Sequence, residues 1–330
     1  MERITKERIT NTRLYLGPMS KNVVDAIIQW NNEYDDSVGI IASRRQIDYF
    51  GGYSNNWTTQ NFVKYVKNKN IKIIICRDHA GVNQGSFNDD GIASLLVDSV
   101  YMNLIHIDPF KAYNFDDSIK YTVNAIKRCG EFKYNNCFFE IGTEEAIFSM
   151  SSNDLDYFIT EVKQKISDEL YSKIIYAVIQ SGTSLKSGTN TGTYNQDRLL
   201  AMNAVCQKHG LLSKEHNGDY LTPEIIKNKF ELGLSAINIA PEVAHIETNI
   251  VLQSLSTTQI NKWFELCIKN GSWKKWFPKE YNPNDNVFNI LKLCGHYVFS
   301  NPEFIEIFNL NLISKHVEKE VHNFIKERLL

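Results

Sequence analysis

Acidic and histidine residues follow several apolar runs of this chain, and their side chains suit acid/base chemistry or metal binding. The clearest case is Asp78-His79, which directly follows the apolar run 73–76 and precedes Gly81. β-branched residues favour a buried strand, and glycine favours the loop that ends it. A carboxylate can carry a proton, and a neutral imidazole is an ordinary ligand of Zn²⁺. Taken alone, the pair would be explained by a helix cap and a buried structural histidine, but similar residues recur downstream.

Polar residues stand at the ends of other apolar runs as well. Those with the chemistry of proton carriers or metal ligands are Glu140, Glu144, His216 and Asp219. Those suited to contact a substrate are Arg45, Gln46, Tyr53, Asp108, Gln180, Gly182, Asn238 and Glu242. If these side chains met at one face of the fold, two histidines with nearby carboxylates would suit Zn²⁺ or Mn²⁺, with His79 and His216 as the ligands.

The elements that would position these residues are repeated βα units, because short apolar runs alternate with longer amphipathic segments. The predicted strands are 14–19, 38–42, 73–78, 104–108, 137–144, 173–179, 211–216 and 235–239. The predicted helices between them include 21–34, 58–66, 89–101, 117–129, 154–166 and 197–209, with a further helix from Thr222-Pro223. Eight strands favour a closed (β/α)8 TIM barrel over an open sheet. In such a barrel every strand ends at the same mouth, so the polar residues converge on one site.

The pattern changes near Ser254. We predict that residues 1–254 form the barrel and that residues 255–330 form a C-terminal helical extension packed on it. The extension is rich in aromatic residues, including Trp263, Trp273 and Trp276. Their spacing favours core packing, on the barrel or on a partner, over a ligand site.

Composition indicates a globular protein that acts on a small solute. The 330 residues are 43% hydrophobic and 22% charged, which argues against disorder. The net charge of −2 contains no long block of like charge, so neither nucleic acid nor an anionic membrane is indicated as a partner. The six cysteines lack C-x-x-C spacing and are expected to be buried, reduced thiols. With no apolar leader and no long apolar stretch, we expect a soluble cytoplasmic protein.

Several motifs together resemble a known family. They are Phe50-Gly51-Gly52-Tyr53, Asp78-His79 with Gly81, Gly142-Thr143-Glu144, His216 with Asp219-Tyr220, and Asn238-Ile239-Ala240. Over nearly the whole chain they look like the tagatose-bisphosphate aldolase accessory-subunit family. That family is a (β/α)8 relative of class II, metal-dependent ketose-bisphosphate aldolases, and tagaturonate epimerases are similar to it.

The resemblance implies roles for individual residues. It makes Asp78 the acid/base residue, His79 and His216 metal ligands, and Asn238 a substrate contact. A further metal-binding histidine expected after the sixth strand is replaced here by Gln180-Ser181-Gly182. Either Glu144 or Gln180 would take its place, or the metal would be weakly bound or missing. The glycine-rich loop from Gly182 to Gly192 would hold a phosphate through backbone N–H groups, or would simply be flexible.

The function expected from these observations is a metal-dependent aldolase or epimerase that acts on a small sugar or sugar phosphate. The divalent metal, Zn²⁺ or Mn²⁺, would stabilise an enediolate, while Asp78, Glu144 or Asp219 moves the proton. One of Arg44, Arg45 and Arg77 should contact an anionic substrate group.

Two alternatives stay open at this stage. One is a non-catalytic subunit that binds and stabilises a class II aldolase partner. The other is a Schiff-base enzyme that uses Lys214, which shares strand parity with His216. The chain could also act as a homo-oligomer.

Overall fold

The computed structural model describes residues 5–34, 37–132, 137–186 and 188–329. Eight parallel strands close into a barrel, which confirms the predicted (β/α)8 fold. The barrel strands are β1 (Leu14–Leu16), β2 (Val38–Ser43), β3 (Ile75–Ala80), β4 (Leu104–Ile107), β5 (Phe138–Gly142), β6 (Ile174–Val178), β9 (Leu212–Glu215) and β10 (Ala236–Ile239). They neighbour one another in chain order, and β10 pairs with β1 to close the barrel. A small antiparallel hairpin, β7 (Leu185–Lys186) and β8 (Thr189–Asn190), lies in the loop after β6.

Most helices follow barrel strands and form an outer layer, whereas the first helix precedes β1 and the last four belong to the C-terminal segment. The helices are α1 (Lys6–Thr10), α2 (Lys21–Glu33), α3 (Thr59–Lys69), α4 (Ile92–Tyr101), α5 (Phe115–Glu131), α6 (Ser152–Lys165), α7 (Asp168–Tyr171), α8 (Gln196–Lys208), α9 (Pro223–Glu231), α10 (Pro241–Ser254), α11 (Thr257–Asn270), α12 (Val287–Cys294), α13 (Pro302–Ile307) and α14 (Ser314–Leu329). Helix α4 begins three residues later than predicted because Gly91 takes a left-handed conformation (φ 75°) in front of it.

A cluster of apolar side chains inside the barrel supports the site from below. Inside the barrel, Tyr15, Ile41, Cys76, Leu104 and Tyr176 pack together with other inward-facing residues. The short helix α1 closes the opposite end of this interior, since its buried Ile9 joins the cluster and the Tyr176 hydroxyl donates to the Ile9 carbonyl at 2.9 Å. The interior of the barrel is therefore a packed core rather than an open channel.

The C-terminal segment packs on the barrel and also completes its ring of helices. Helix α14 lies between α2 and α9, which follow the first and seventh barrel strands. His322 Nε2 donates to the Ala26 carbonyl at 2.9 Å, and Arg328 forms an ion pair with Glu242 at 3.0 Å. The hydrophobic core of the barrel continues into this segment through residues such as Trp263. The polypeptide between α10 and α14 is thus held close to the mouth of the barrel.

Two further expectations concern the whole chain. All six cysteines are buried and none forms a disulfide, as predicted. Within the described ranges, no helix has both the length and the apolar composition that a membrane span requires.

Candidate active site

A cavity of about 330 Å³ opens at the carboxyl ends of the barrel strands. Its floor includes side chains from strand ends and the loops that follow them: Asp78, His79, Glu144, His216, Asp219 and Asn238. Its outer wall includes cationic and aromatic residues from loops and from the C-terminal segment: Arg45, Tyr53, Lys111, Lys275, Trp276 and Tyr297. The position at the carboxyl ends of parallel strands is where TIM-barrel enzymes carry their chemistry.

Asp78 and His79 are adjacent in sequence, yet both face this cavity. Side chains of a regular strand point alternately to opposite faces, so one of them would normally turn away. Here the register between β3 and β4 shifts between Arg77 and Ala80, and His79 has a positive φ of 44°. This irregularity brings His79 Nε2 to 3.4 Å from Asp78 Oδ1. A non-glycine residue in the left-handed region is uncommon, and such local strain is concentrated at functional sites.

Each of the two predicted metal-binding histidines is held by a buried carboxylate. His79 Nδ1 donates to Asp108 Oδ2 at 2.7 Å, and His216 Nε2 donates to Glu140 Oε1. The other ring nitrogen of each residue faces Asp78: His79 Nε2 is 3.4 Å and His216 Nδ1 is 3.2 Å from Asp78 Oδ1. A carboxylate that accepts from one imidazole nitrogen and leaves the other exposed to the site is the usual support of a metal-binding histidine.

The donor atoms at the floor fit a divalent metal ion. One possible ligand atom from each of Asp78, His79, His106 and His216 lies within 4.8 Å of all the others. Asp78 Oδ1 and His216 Nδ1 are buried and 3.2 Å apart, but among the described residues neither has a partner with hydrogen-bond geometry, although native proteins seldom leave such atoms unsatisfied. Glu144 Oε2, at 4.0 Å from His79 Nε2, adds a further carboxylate.

His106 is the weakest candidate ligand of this cluster. Its Nδ1 accepts from the backbone N–H of His79 at 3.3 Å, and its Nε2 donates to the Gly142 carbonyl at 3.0 Å. Burial and the neighbouring charge of His216 lower its pKa to about 4, so the ring is neutral. Both ring nitrogens are therefore already in use, which leaves His79, His216 and a carboxylate as the better donors.

Neighbouring groups of opposite charge shift the pKa values of several residues at and below the floor. Burial alone would favour neutral His79, but Asp78 and the other nearby carboxylates outweigh it and raise the pKa of His79 to about 10. Glu140 is also fully buried, and the charges of Lys214 and His216 hold its pKa well below its usual range. Burial raises the pKa of Glu144. A metal ion that binds here would displace protons from the imidazoles, so its affinity would depend on pH.

The structure brings most of the predicted site residues to the cavity: Arg45, Gln46, Tyr53, Asp78, His79, Glu144, His216, Asp219 and Asn238. Asn238 is buried, and neither atom of its side-chain amide has a hydrogen-bond partner within the described ranges, so both are available to a ligand. Asp219 is already engaged, because its carboxylate accepts from the backbone N–H groups of Ala240 and Glu242. It thereby fixes the start of α10 beside the cavity.

Four residues expected to contact a substrate lie outside the cavity lining. Asp108 stands behind His79, where it also accepts from the Thr143 hydroxyl at 3.1 Å. Gln180 uses its whole amide in bonds to Met150, Arg198, Thr143 and Phe148. Glu242 accepts from the backbone N–H of Tyr220 and pairs with Arg328. Gly182 is needed for packing, because a Cβ there would lie 2.2 Å from the Thr193 carbonyl oxygen.

Two of the three arginines considered as anion contacts are held in buried ion pairs. Arg44 pairs with Asp89 at 2.6 Å and with Asp48 at 3.0 Å. Arg77 faces outward from β3, where it pairs with Asp98 of α4 at 2.7 Å. Only Arg45 of the three lines the cavity with an exposed side chain. Of these three arginines, Arg45 is therefore the one placed to contact an anionic group of a substrate.

Sequence reasoning missed the part played by His106, Glu140 and Lys214 at the floor. All three are fully buried on the inner face of the barrel. Lys214 Nζ lies 2.9 Å from Glu140 Oε2 and 3.8 Å from the centre of the Tyr15 ring. The strand parity that linked Lys214 to His216 was also available for His106, which stands two residues before Asp108. Lys214 lies below the floor and outside the cavity lining, which disfavours the Schiff-base alternative.

Comparisons with known proteins give similarity in fold without similarity in sequence. No protein-family model matches the chain. A search of curated proteins also finds no match. Among solved structures, a probable tagatose 6-phosphate kinase from Sinorhizobium meliloti 1021 has a TM-score of 0.73 at 14% identity, covering 96% of this chain and 94% of that chain.

Two further structures are similar over most of their length. The fructuronate-tagaturonate epimerase UxaE from Cohnella laeviribosi has a TM-score of 0.70 at 9% identity, covering 97% of this chain and 81% of that chain. The fructose-bisphosphate aldolase Fba from Campylobacter jejuni has a TM-score of 0.55 at 14% identity, covering 93% and 92%. At these identities the likeness establishes the barrel fold, and it does not separate the accessory-subunit family from aldolases or epimerases.

Proposed function

We propose that this protein is a metal-dependent enzyme that removes a proton, or breaks a C–C bond, next to the carbonyl of a small sugar or sugar phosphate. The observation that carries the proposal is the pair of carboxylate-supported imidazoles, His79 and His216, whose remaining nitrogens face Asp78 at the floor of the cavity. The fold likeness to an aldolase and to a ketose-acid epimerase agrees with this class of reaction.

The residues divide into metal ligands and a proton carrier. His79 and His216 with one carboxylate provide the three protein ligands of an open catalytic site. When bound, Zn²⁺ or Mn²⁺ would supply Lewis-acid stabilisation of the negative charge that develops on the substrate oxygens. We assign Glu144 as the third ligand and Asp78 as the proton carrier. Asn238, with its unpartnered amide, would orient a substrate hydroxyl or carbonyl group.

The geometry supports the assignment of Asp78 as the proton carrier. The Asp78 side chain is 19% exposed and lines the cavity floor, so a substrate carbon can approach it. Its neighbours Asp108 and Glu140 are fully buried and act only through the histidines that they hold. Epimerisation begins with removal of a proton next to the carbonyl, and aldol cleavage breaks a C–C bond there. The same floor residues would serve either reaction.

The test is metal content combined with substrate proton exchange. We expect the purified chain to hold about one divalent ion, as an open three-ligand site would. His79→Ala and His216→Ala should lose it, whereas His316→Ala, at a distant helix position, should keep it. In Asp78→Asn the metal should remain while solvent exchange of the α-proton of a ketose falls by about 10²-fold or more.

The same experiment tests which of the two carboxylates, Asp78 or Glu144, is the metal ligand. Glu144→Gln should lose metal and Asp78→Asn should not, and the opposite result would exchange their assignments. Full metal retention in both histidine variants would overturn the proposed site. A metal-loaded chain that exchanges no ketose proton, but stabilises an aldolase partner equally well with Asn at position 78, would favour the non-catalytic subunit instead.

A further inference from the structure

Three cationic side chains surround the open end of the cavity. Arg45 lies in the loop after β2, Lys111 in the loop after β4, and Lys275 just after α11. All three are exposed to solvent. In the described part of the chain, none of them has a carboxylate within 4 Å, in contrast to Arg44 and its two aspartates. Three segments distant in sequence therefore place unpaired positive charge on one wall.

The three charges are close enough to influence one another. Desolvation in the concave wall, together with the charges of Arg45 and Lys111, lowers the pKa of Lys275 to about 8. Desolvation and the charge of Arg45 also lower the pKa of Lys111. Mutual repulsion of this kind is unfavourable in the free protein and is relieved when an anion binds.

Aromatic side chains hold one of these cations in place. Lys275 Nζ lies 4.7 Å from the Trp276 ring centre and 5.0 Å from the Tyr297 ring centre. The indole N–H of Trp276 donates to the Tyr297 hydroxyl at 3.2 Å, which fixes the two rings relative to each other. Cation–π contacts orient an ammonium group without neutralising its charge. Lys275 is thus positioned in advance while remaining available to an anion.

The cavity is polarised between its floor and its outer wall. The floor carries the carboxylates Asp78 and Glu144, which would repel an anionic group on a ligand. The outer wall carries the cations, and a volume of about 330 Å³ is appropriate for one small molecule that reaches both. A ligand with a hydroxyl or carbonyl end and an anionic end would satisfy both regions.

We propose that Arg45, Lys111 and Lys275 form an anion subsite that binds the phosphate or carboxylate of a sugar whose reacting end lies at the floor. The position of the reacting end rests on the proposed function, whereas the anion subsite rests on the outer wall alone. A guanidinium and two ammonium groups suit a tetrahedral phosphate or a planar carboxylate, and the structure favours neither.

The experiment compares three probes on the Mn²⁺-loaded chain by calorimetry: D-tagatose 6-phosphate, D-tagaturonate and neutral D-tagatose. We expect at least one anionic ketose to bind ten times or more tightly than D-tagatose. The one that does identifies the anion as phosphate or carboxylate. Arg45→Gln and Lys275→Gln should each weaken binding of that ketose about tenfold or more. Neither variant should change binding of the neutral sugar.

The matched control is Lys262→Gln, which removes an exposed lysine of α11 that does not line the cavity. Its affinities should equal those of the wild type. Equal affinity for all three sugars, or an equal loss in the Lys262 variant, would overturn the subsite. Lys111→Gln provides a third variant should either of the others fold poorly.

Inorganic phosphate separates failure of the subsite from failure of the proposed function. The affinity of inorganic phosphate is measured for the wild type, for Arg45→Gln and for His79→Ala. If the reaction is wrong but the subsite is right, phosphate binds in a manner that depends on Arg45 even where no ketose is processed. If the subsite is wrong, metal binding and proton exchange persist, while phosphate either fails to bind or binds independently of Arg45.

Discussion

Replacing Lys214 by Met tests whether the ion pair beneath the site supports the fold. Lys214 and Glu140 are both fully buried, and their charged atoms are 2.9 Å apart. At an effective dielectric constant of about 20, charges at this 2.9 Å separation attract by about 6 kcal/mol. His216 still donates to Glu140 in the variant, so the buried carboxylate keeps one partner and the cost is smaller than the lost attraction. We therefore expect Lys214→Met to lower the free energy of unfolding by about 3–5 kcal/mol.

The double variant Glu140→Gln/Lys214→Met should recover much of that loss, because it removes both buried charges together. The assay is urea unfolding followed by circular dichroism and by tryptophan fluorescence, with coincident transitions as the check on two-state behaviour. Lys208→Met is the control, since its partner Asp156 is at the surface and the expected loss is below about 1 kcal/mol. A loss below about 1 kcal/mol for Lys214→Met, or strictly additive effects in the double variant, would refute the reasoning.

The same variant tests the Schiff-base alternative. A lysine that attacks a ketose must reach the cavity with a neutral amine, whereas Lys214 is fully buried against Glu140. Borohydride added to wild type and a ketose should therefore trap no covalent adduct. An adduct in wild type that disappears in Lys214→Met would reverse this conclusion.

Two other predictions concern stability. Burial raises the pKa of Glu247 from 4.5 to about 7, so folding retains a proton that the unfolded chain releases. Stability should fall as pH rises from about 4.5 to about 7, and Glu247→Gln should remove that fall in urea melts at pH 5 and pH 8; an unchanged profile would contradict the assignment. Arg77→Gln leaves Asp98 buried without its partner and should cost about 3–5 kcal/mol while metal content stays at the wild-type level; a loss of metal in a folded variant would place Arg77 in the site after all.

The barrel was predictable because each of its strands is an apolar run bounded by turn residues. The first strand stops at Leu16 rather than at Met19 because Gly17-Pro18 follow it, and proline lacks the N–H that a strand ladder needs. The hairpin 185–190 was not predicted. Two-residue strands bury too little apolar surface to leave a pattern, so only tertiary contacts reveal them.

The site was predictable in part, and the failures at charged residues within strands have one physical cause. Parallel strands are covered on both faces, so a charged residue within one can point inward or outward. Arg77 and Glu215 point outward and pair with Asp98 of α4 and Lys229 of α9. Lys214, one residue before Glu215, points inward and pairs with Glu140 below the cavity floor. Residue type alone does not show whether such a side chain points inward or outward. The direction depends on an ion-pair partner, which for Arg77 and Glu215 lies on a neighbouring helix.

The floor and the cationic wall of the cavity are built from different parts of the chain. The residues proposed for the reaction are therefore separate from those proposed to bind the anion. The floor is built from strand ends whose geometry is fixed by the barrel ladder, including Asp78 and His216. The cationic wall is built from loops and from the segment between α11 and α12, which carries Lys275 and Trp276. Loops accept substitution more readily than barrel strands do. We therefore expect changes at Arg45 or Lys275 to alter which anionic sugar binds while metal binding at the floor persists.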